Sequence, residues 1–253
     1  MKPQMLRDKI RGIEGKTVAA PDGKSAKQLD TEFNYIRRRG RFTKAQASAL
    51  ETLTNRYRWT PDDLSKRPLG VEIGFGMGFE LLAWAQQQPD YQLLGVELYQ
   101  PGIGSLLSRL ENLQITNVSL VDKPAQRLFA QLDEGSLSQV RIFFPDPWPK
   151  KRHHKRRLIQ PDFLQQLHRC MHNGAIVRLA TDWAEYAQWM VEHFAEHIGF
   201  ELISDEIRAA QDEPSASVIA EDVRDVTKFE ARGERLGHEI RDLQYRRISG
   251  ATT

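Results

Sequence analysis

From Leu69 onward the chain alternates short runs rich in β-branched and apolar residues with longer stretches whose apolar positions recur every three to four residues. The short runs predict strands, the longer ones amphipathic helices, and their alternation predicts an α/β sheet covered by helices. Strands are expected over Leu69–Ile73, Gln92–Glu97, Val118–Val121, Val140–Phe144, Ala175–Ala180, Phe200–Ser204 and Glu239–Arg246. Helices are expected between them at Phe79–Gln88, Gly104–Glu111, Pro161–Met171 and Trp183–His197. Residues 1 to 33 are polar and lack a sustained apolar period, which predicts a flexible arm. Residues 34 to 253 then make up the folded domain, with a basic N-terminal cap. In that cap Arg37-Arg38-Arg39-Gly40-Arg41 precedes a helix-like stretch through Leu53, and it reads equally as a nucleic-acid contact or a solvated face. The interval Asp205 to Arg235 is long, polar and poorly periodic, and predicts a loop with a functional reason to exist.

Composition narrows the class. The 253 residues are 40% hydrophobic, enough for one sizeable core. A net charge of +2 means that any polyanion must be bound by local clusters rather than by a uniformly basic surface. Cys170 is the only cysteine, which excludes an intrachain disulfide framework and a multi-cysteine zinc site, points to a reducing compartment, and suits core packing. The first residues lack the apolar run of a signal peptide, and no stretch approaches the ~20 apolar residues of a membrane span. A cytoplasmic protein without a membrane or metal partner is expected.

The first strand ends in Glu72-Ile73-Gly74-Phe75-Gly76-Met77-Gly78, where the glycines let the chain turn tightly and let a ligand lie against bare backbone. The spacing is Gly-x-Gly-x-Gly, and Phe79 occupies the position where a dinucleotide fingerprint needs its third small residue. Acids then close successive strands. Glu97 ends the second, about 20 residues past the glycines, where it can accept hydrogen bonds from ribose hydroxyls. Asp122 ends the third, placed to approach an adenine edge, and Glu72 could meet a cationic amine. Each acid alone reads equally as a ligand-binding group or as an ordinary helix cap or surface charge. The ordered series suits a nucleoside ligand without phosphates, which three carboxylates would repel, and that ligand is S-adenosylmethionine.

The fourth strand runs through Phe143-Phe144-Pro145-Asp146-Pro147-Trp148 into Lys150, Lys151, Arg152, Lys155, Arg156 and Arg157, six cations within eight positions. Prolines on both sides restrict the backbone of Asp146, Trp148 offers a flat face for a base, and the cations attract phosphates. A similar element, Ala180-Thr181-Asp182-Trp183, follows the fifth strand, and Asp182 alone reads as a cap of the next helix.

With these motifs the chain resembles the bacterial tRNA (guanine-N(7))-methyltransferase family from about Tyr35 to its end. The resemblance rests on the glycine turn, Pro101-Gly102-Ile103-Gly104, Phe-Phe-Pro-Asp-Pro-Trp with its basic run, Ala-Thr-Asp-Trp, Thr-Lys-Phe-Glu at 227 to 230, and Arg-Gly-x-Arg-Leu-Gly-His at 232 to 238. It implies a Rossmann-like class I methyltransferase fold: seven strands, mostly parallel with an antiparallel last strand, and helices on both faces. It further implies methyl transfer from S-adenosylmethionine to a guanosine in the variable loop of tRNA. Carried onto this chain, Glu72, Gly74, Gly76, Gly78, Glu97 and Asp122 would hold the cofactor and Asp146 would act at the reacting centre. Lys150, Asp182, Thr227, Lys228, Phe229 and Glu230 would contact the substrate, and Lys151, Arg152, Lys155, Arg156 and Arg157 the RNA backbone. The chain departs from the family pattern at Lys123, Pro149, His154, Asp225, Glu239 and Arg241, none of which replaces a proposed cofactor residue.

Two other classes stand beside this reading. A nicotinamide-dependent oxidoreductase would need Gly-x-Gly-x-x-Gly, which the chain lacks, and a divergent relative could methylate another base or bind tRNA without catalysis. His193 and His197 match an inverted zinc-protease spacing, but no third ligand accompanies them, so no metal is expected. The sequence does not choose between monomer and homodimer.

Overall fold

Strand β1 (Leu69–Ile73) is buried along its whole length, as a strand is when helices cover both faces of its sheet. A computed structural model describes residues 42–61, 67–209 and 239–249. Along the chain it shows α1 (Lys44–Tyr57), β1, α2 (Phe79–Gln87), β2 (Gln92–Val96), α3 (Gln100–Asn112), β3 (Val118–Val121), α4 (Ala125–Phe129) and β4 (Leu137–Phe143). A 3₁₀ helix (Lys151–Arg156), α5 (Pro161–Cys170), β5 (Met171–Thr181), α6 (Ala184–Glu196), β6 (Phe200–Ala209) and β7 (Glu239–Arg247) follow. The seven strands form one sheet in the order β3-β2-β1-β4-β5-β7-β6. The first five strands are parallel, and β7 runs antiparallel to both of its neighbours. This is the expected Rossmann-like class I methyltransferase sheet.

Alternation along the strands divides the core in two. Leu69, Val71 and Ile73 face a cluster with Phe129 of α4, Phe163 of α5 and Tyr186 of α6. On the other face Leu93 joins Trp84 of α2, Leu106 of α3 and Leu50 of α1. Gly70 is small because Trp84 lies against it: an added Cβ would fall 2.5 Å from the indole ring. Cys170 is buried in the first cluster.

The predicted loop beginning at Asp205 needs correction, because β6 continues to Ala209. Its polar, poorly periodic sequence reads as a loop, yet Arg241 of β7 forks onto both carboxylate oxygens of Asp205 at 2.6 Å, and Arg208 donates to Asp242 at 2.8 Å. Cross-strand pairing therefore carries a polar sequence through a strand. The short α4 and the 3₁₀ helix were not among the expected elements. The arm of residues 1 to 33, the patch Arg37 to Arg41 and the remainder of the expected loop lie outside the described residues.

Candidate active site

The turn after β1 is held from two sides. Gly74, Gly76 and Gly78 all have left-handed φ, 78°, 57° and 80°. Glu97 Oε2 accepts from the Gly76 amide at 2.8 Å, while Oε1 accepts from the Leu98 and Tyr99 amides at 2.7 and 2.9 Å. From α3, Arg109 donates to the Met77 carbonyl at 2.8 Å and to Ser105 Oγ at 2.7 Å, with its guanidinium 4.1 Å from the Phe79 ring centre. The segment Pro101-Gly102-Ile103-Gly104 brings that helix in. A Cβ on Gly102 would lie 1.9 Å from the Gly76 carbonyl oxygen, and one on Gly104 would lie 2.5 Å from the Gln46 carbonyl oxygen of α1. Backbone meets backbone here, which only glycine permits.

The strand order brings the acids to one edge. In register, Ile73 pairs Val96 and Val96 pairs Val121, so Glu97 and Asp122 follow side by side beyond the ends of β2 and β3. Asp122 is half-buried and Glu97 buried. Glu72 is 3% exposed, and its Oε2 has no hydrogen-bond partner among the described residues. Burial pushes its carboxyl up to about 8, Glu80 and Glu97 add repulsion, and Arg141 opposes them in part. Arg141, also buried, sits in register with Glu72 and places its guanidinium 3.9 Å from the Trp84 ring centre.

Beyond β4 the chain makes a strained turn. The Phe144 amide donates to the Ala180 carbonyl of β5 at 2.8 Å. Phe144 and Trp148 have φ of 51° and 46°, a region that costs a non-glycine residue on the order of 1–2 kcal/mol. Between them Asp146 is exposed, at the end of the strand next to β1. Trp148 meets His153 edge to face at 5.9 Å, and the Arg156 guanidinium lies 5.1 Å from its ring centre. The proline-restricted backbone is thus reinforced by packing on the 3₁₀ helix.

Lys150, Lys151, Arg152 and Lys155 are exposed, and Arg156 is half-buried against Trp148. Arg157 is a correction to the sequence reading, because its side chain is fully buried and cannot grip a solvated phosphate backbone. Its Nε donates to the Pro147 carbonyl at 2.9 Å, and its Nη2 donates to Glu185 Oε1 at 3.2 Å. Charge counting missed this, although the switch to buried apolar residues at Ile159 is a signal that the run turns inward. Arg109 was also missed, and Gly102 was named in a motif without a role, since both roles depend on what packs beside them.

Asp182 follows β5 and is half-buried. It is not the cap expected from the sequence: Trp183 occupies the N-cap position of α6, and Thr181 Oγ1 accepts from the Trp183 amide at 3.2 Å. Thr227, Lys228, Phe229, Glu230 and Asp225 lie outside the described residues. Of the other departures, Arg241 is paired with Asp205, His154 approaches Glu185 at 3.3 Å, and Lys123, Pro149 and Glu239 are exposed. Among the described residues no helix is long and apolar enough to cross a membrane, and no group of three or more His, Cys, Asp or Glu side chains could hold a metal ion.

A family model described as "Putative methyltransferase" matches residues 66–243. The chain is 41% identical over 227 residues to the tRNA (guanine-N(7)-)-methyltransferase of Nitrosococcus oceani, covering 85% of this chain and 90% of the relative. It is 35% identical over 247 residues to that of Pseudoalteromonas atlantica, covering 94% and 99%. Among solved structures, a 16S rRNA (adenine(1408)-N(1))-methyltransferase of Catenulisporales acidiphilia with cosubstrate SAM aligns with a TM-score of 0.54 at 15% identity, over 77% of this chain and 94% of that one. An antibiotic-resistance methyltransferase, Kmr, aligns at 0.53 and 17% identity, over 76% and 95%. At these identities the likeness speaks for the fold.

Proposed function

The chain belongs to the tRNA (guanine-N(7)-)-methyltransferase family, and from that membership we infer that it is an enzyme that methylates ring nitrogen 7 of a guanosine in the variable loop of tRNA. The observation that carries this reading is the placement of Asp146. It stands exposed on a strained turn, beside the glycine turn on one side and a cationic 3₁₀ helix on the other.

The residues at the glycine turn fit S-adenosylmethionine. Around Gly74 and Gly76 an added Cβ would meet nothing within 4 Å, which leaves bare backbone open to a ligand. Glu97 and Asp122 offer carboxylates for hydroxyl and amine donors, and a cation beside the buried Oε2 of Glu72 would favour release of the proton that its carboxyl holds. When bound, S-adenosylmethionine supplies an electrophilic methyl group on a sulfonium.

Nitrogen 7 of guanine carries a free lone pair at neutral pH, so no side chain must remove a proton before the attack. The enzyme's contribution is then mainly placement of the base. Asp146 accepts hydrogen bonds from the donor edge of the purine, and its negative charge favours the cationic base that forms. Lys150, Asp182 and residues 227 to 230 orient the nucleotide, while Lys151, Arg152, Lys155 and Arg156 hold the phosphates. The reaction belongs in the cytoplasm, where tRNA is found.

The test is incubation of the purified protein with labelled S-adenosylmethionine and unmodified tRNA, followed by digestion and nucleoside chromatography. Label in 7-methylguanosine supports the reading. Label in another nucleoside, or cofactor binding without transfer, would replace it with the divergent-relative reading.

A further inference from the structure

Arg157 closes the basic run, yet its guanidinium is withdrawn from solvent and packed 5.1 Å from the Tyr186 ring centre and 4.8 Å from that of Trp189. Burying a guanidinium in this way is costly for stability, and an apolar side chain of similar size would fill the space without that cost. One of its nitrogens, Nη1, makes no hydrogen bond among the described residues. Arginine at this position therefore calls for a reason other than packing.

The remaining contacts supply one. Nε reaches the Pro147 carbonyl, one residue after Asp146, and Nη2 reaches both Glu185 of α6 and, at 3.1 Å, the His154 ring of the 3₁₀ helix. Helix α6 holds the same segment elsewhere: Trp189 Nε1 donates to the Ile159 carbonyl at 2.8 Å, and the Ile159 amide donates to the Tyr186 hydroxyl at 3.3 Å. One guanidinium thus ties together the Asp146 turn, the cationic helix and α6. Arg156 adds a parallel link, since it covers Trp148 from the same helix.

We propose that Arg157 is a positioning residue that acts through Asp146, setting the turn's geometry and coupling it to tRNA docking on the 3₁₀ helix. The proposal rests on the reading of Asp146 given above. A carbonyl anchored by a buried, charged donor keeps its hydrogen bond when the exposed cations engage RNA, because the anchor faces α6 rather than solvent. The exposed neighbours govern how tightly tRNA binds. Arg157 governs where Asp146 stands once it has bound.

The test uses the full chain with Arg157→Met, Asp146→Ala and the double variant, with single-turnover methylation measured at saturating tRNA and cofactor. Arg157→Met is expected to slow the single-turnover rate at least tenfold while leaving tRNA affinity and its salt dependence as in the wild type. In the Asp146→Ala background the same change is expected to add little, because residues acting as a unit give non-additive losses. Arg157→Lys, which keeps the charge but cannot reach both partners, should recover only part of the rate. Additive losses would reduce Arg157 to a structural residue, and a salt slope lowered by about one unit would make it a phosphate contact. Either outcome overturns the proposal, as does an unchanged rate. If Arg157→Met does not fold, Glu185→Gln, which weakens the hold on the guanidinium, carries the same three readouts. A wild-type protein that forms no 7-methylguanosine would instead refute the reading of Asp146 itself.

Discussion

Glu97 Oε2 accepts the Gly76 amide at 2.8 Å, so a carboxylate at the end of β2 holds the turn that leaves β1. With Oε1 taking the Leu98 and Tyr99 amides as well, the side chain shapes the turn it is proposed to serve. Glu97→Ala should weaken S-adenosylmethionine binding by about 1.5–3 kcal/mol, the scale of a hydrogen bond to a charged group, and also lower thermal stability. Glu97→Gln keeps one acceptor oxygen and should lose less of both. Calorimetry on a folded Ala variant with unchanged affinity would remove Glu97 from the cofactor site.

Asp146 is exposed, so Asp146→Ala should leave thermal stability within about 0.5 kcal/mol of the wild type. The methylation rate at saturation should fall far more than tRNA affinity, because the carboxylate favours the charge that develops in the transition state. Loss of affinity alone, at an unchanged single-turnover rate, would make Asp146 a docking residue.

Glu72 links stability to pH. Its carboxyl is raised from 4.5 to about 8 by burial, so between those values the folded protein holds a proton that the unfolded chain has released. Stability is then greatest at the acid end of this window and declines toward pH 8, by at most about 1.4 kcal/mol per pH unit. Glu72→Gln should flatten the decline in denaturant titrations at pH 6, 7 and 8. An identical pH profile in wild type and variant would show that Glu72 does not titrate there.

Neutralising Lys151, Arg152 and Lys155 together should weaken binding of all tRNAs to a similar degree. The log–log salt slope should fall by roughly one unit for each phosphate that is no longer neutralised, with cofactor binding unchanged. An unaltered slope would place RNA binding elsewhere, with the Arg37 to Arg41 patch the next candidate.

Gly102→Ala tests the helix approach. The added Cβ would fall 1.9 Å from the Gly76 carbonyl oxygen, so α3 or the turn must shift. A lower melting temperature and loss of S-adenosylmethionine binding are expected together; retention of both would mean that the turn yields without harm.

The strands that carry the acids were legible because burial writes apolar residues into them: the bounds expected for β1 and β3 match those observed. Asp205 and Arg208 misled because their partners sit on β7, more than thirty residues away, and a local pattern cannot reveal them. The order of Glu72, Glu97 and Asp122 along one edge could be read from strand ends alone. Arg157 could not be separated from its neighbours, since a string of cations does not say which one turns inward. Gly102 and Gly104 stood in a recognisable motif, but their reason, contact with the Gly76 and Gln46 carbonyls, appears only in three dimensions.

Strand β7 is last in the chain yet lies between β5 and β6. During synthesis β5 is complete well before its neighbour leaves the ribosome, so the nascent sheet carries an open edge and β6 waits without its partner. Interrupted translation before Glu239 would therefore release a chain with β6 unpaired and one edge of β5 open, ready to pair with other copies. Premature stops in this region should deplete the protein through aggregation and proteolysis rather than yield a shortened enzyme.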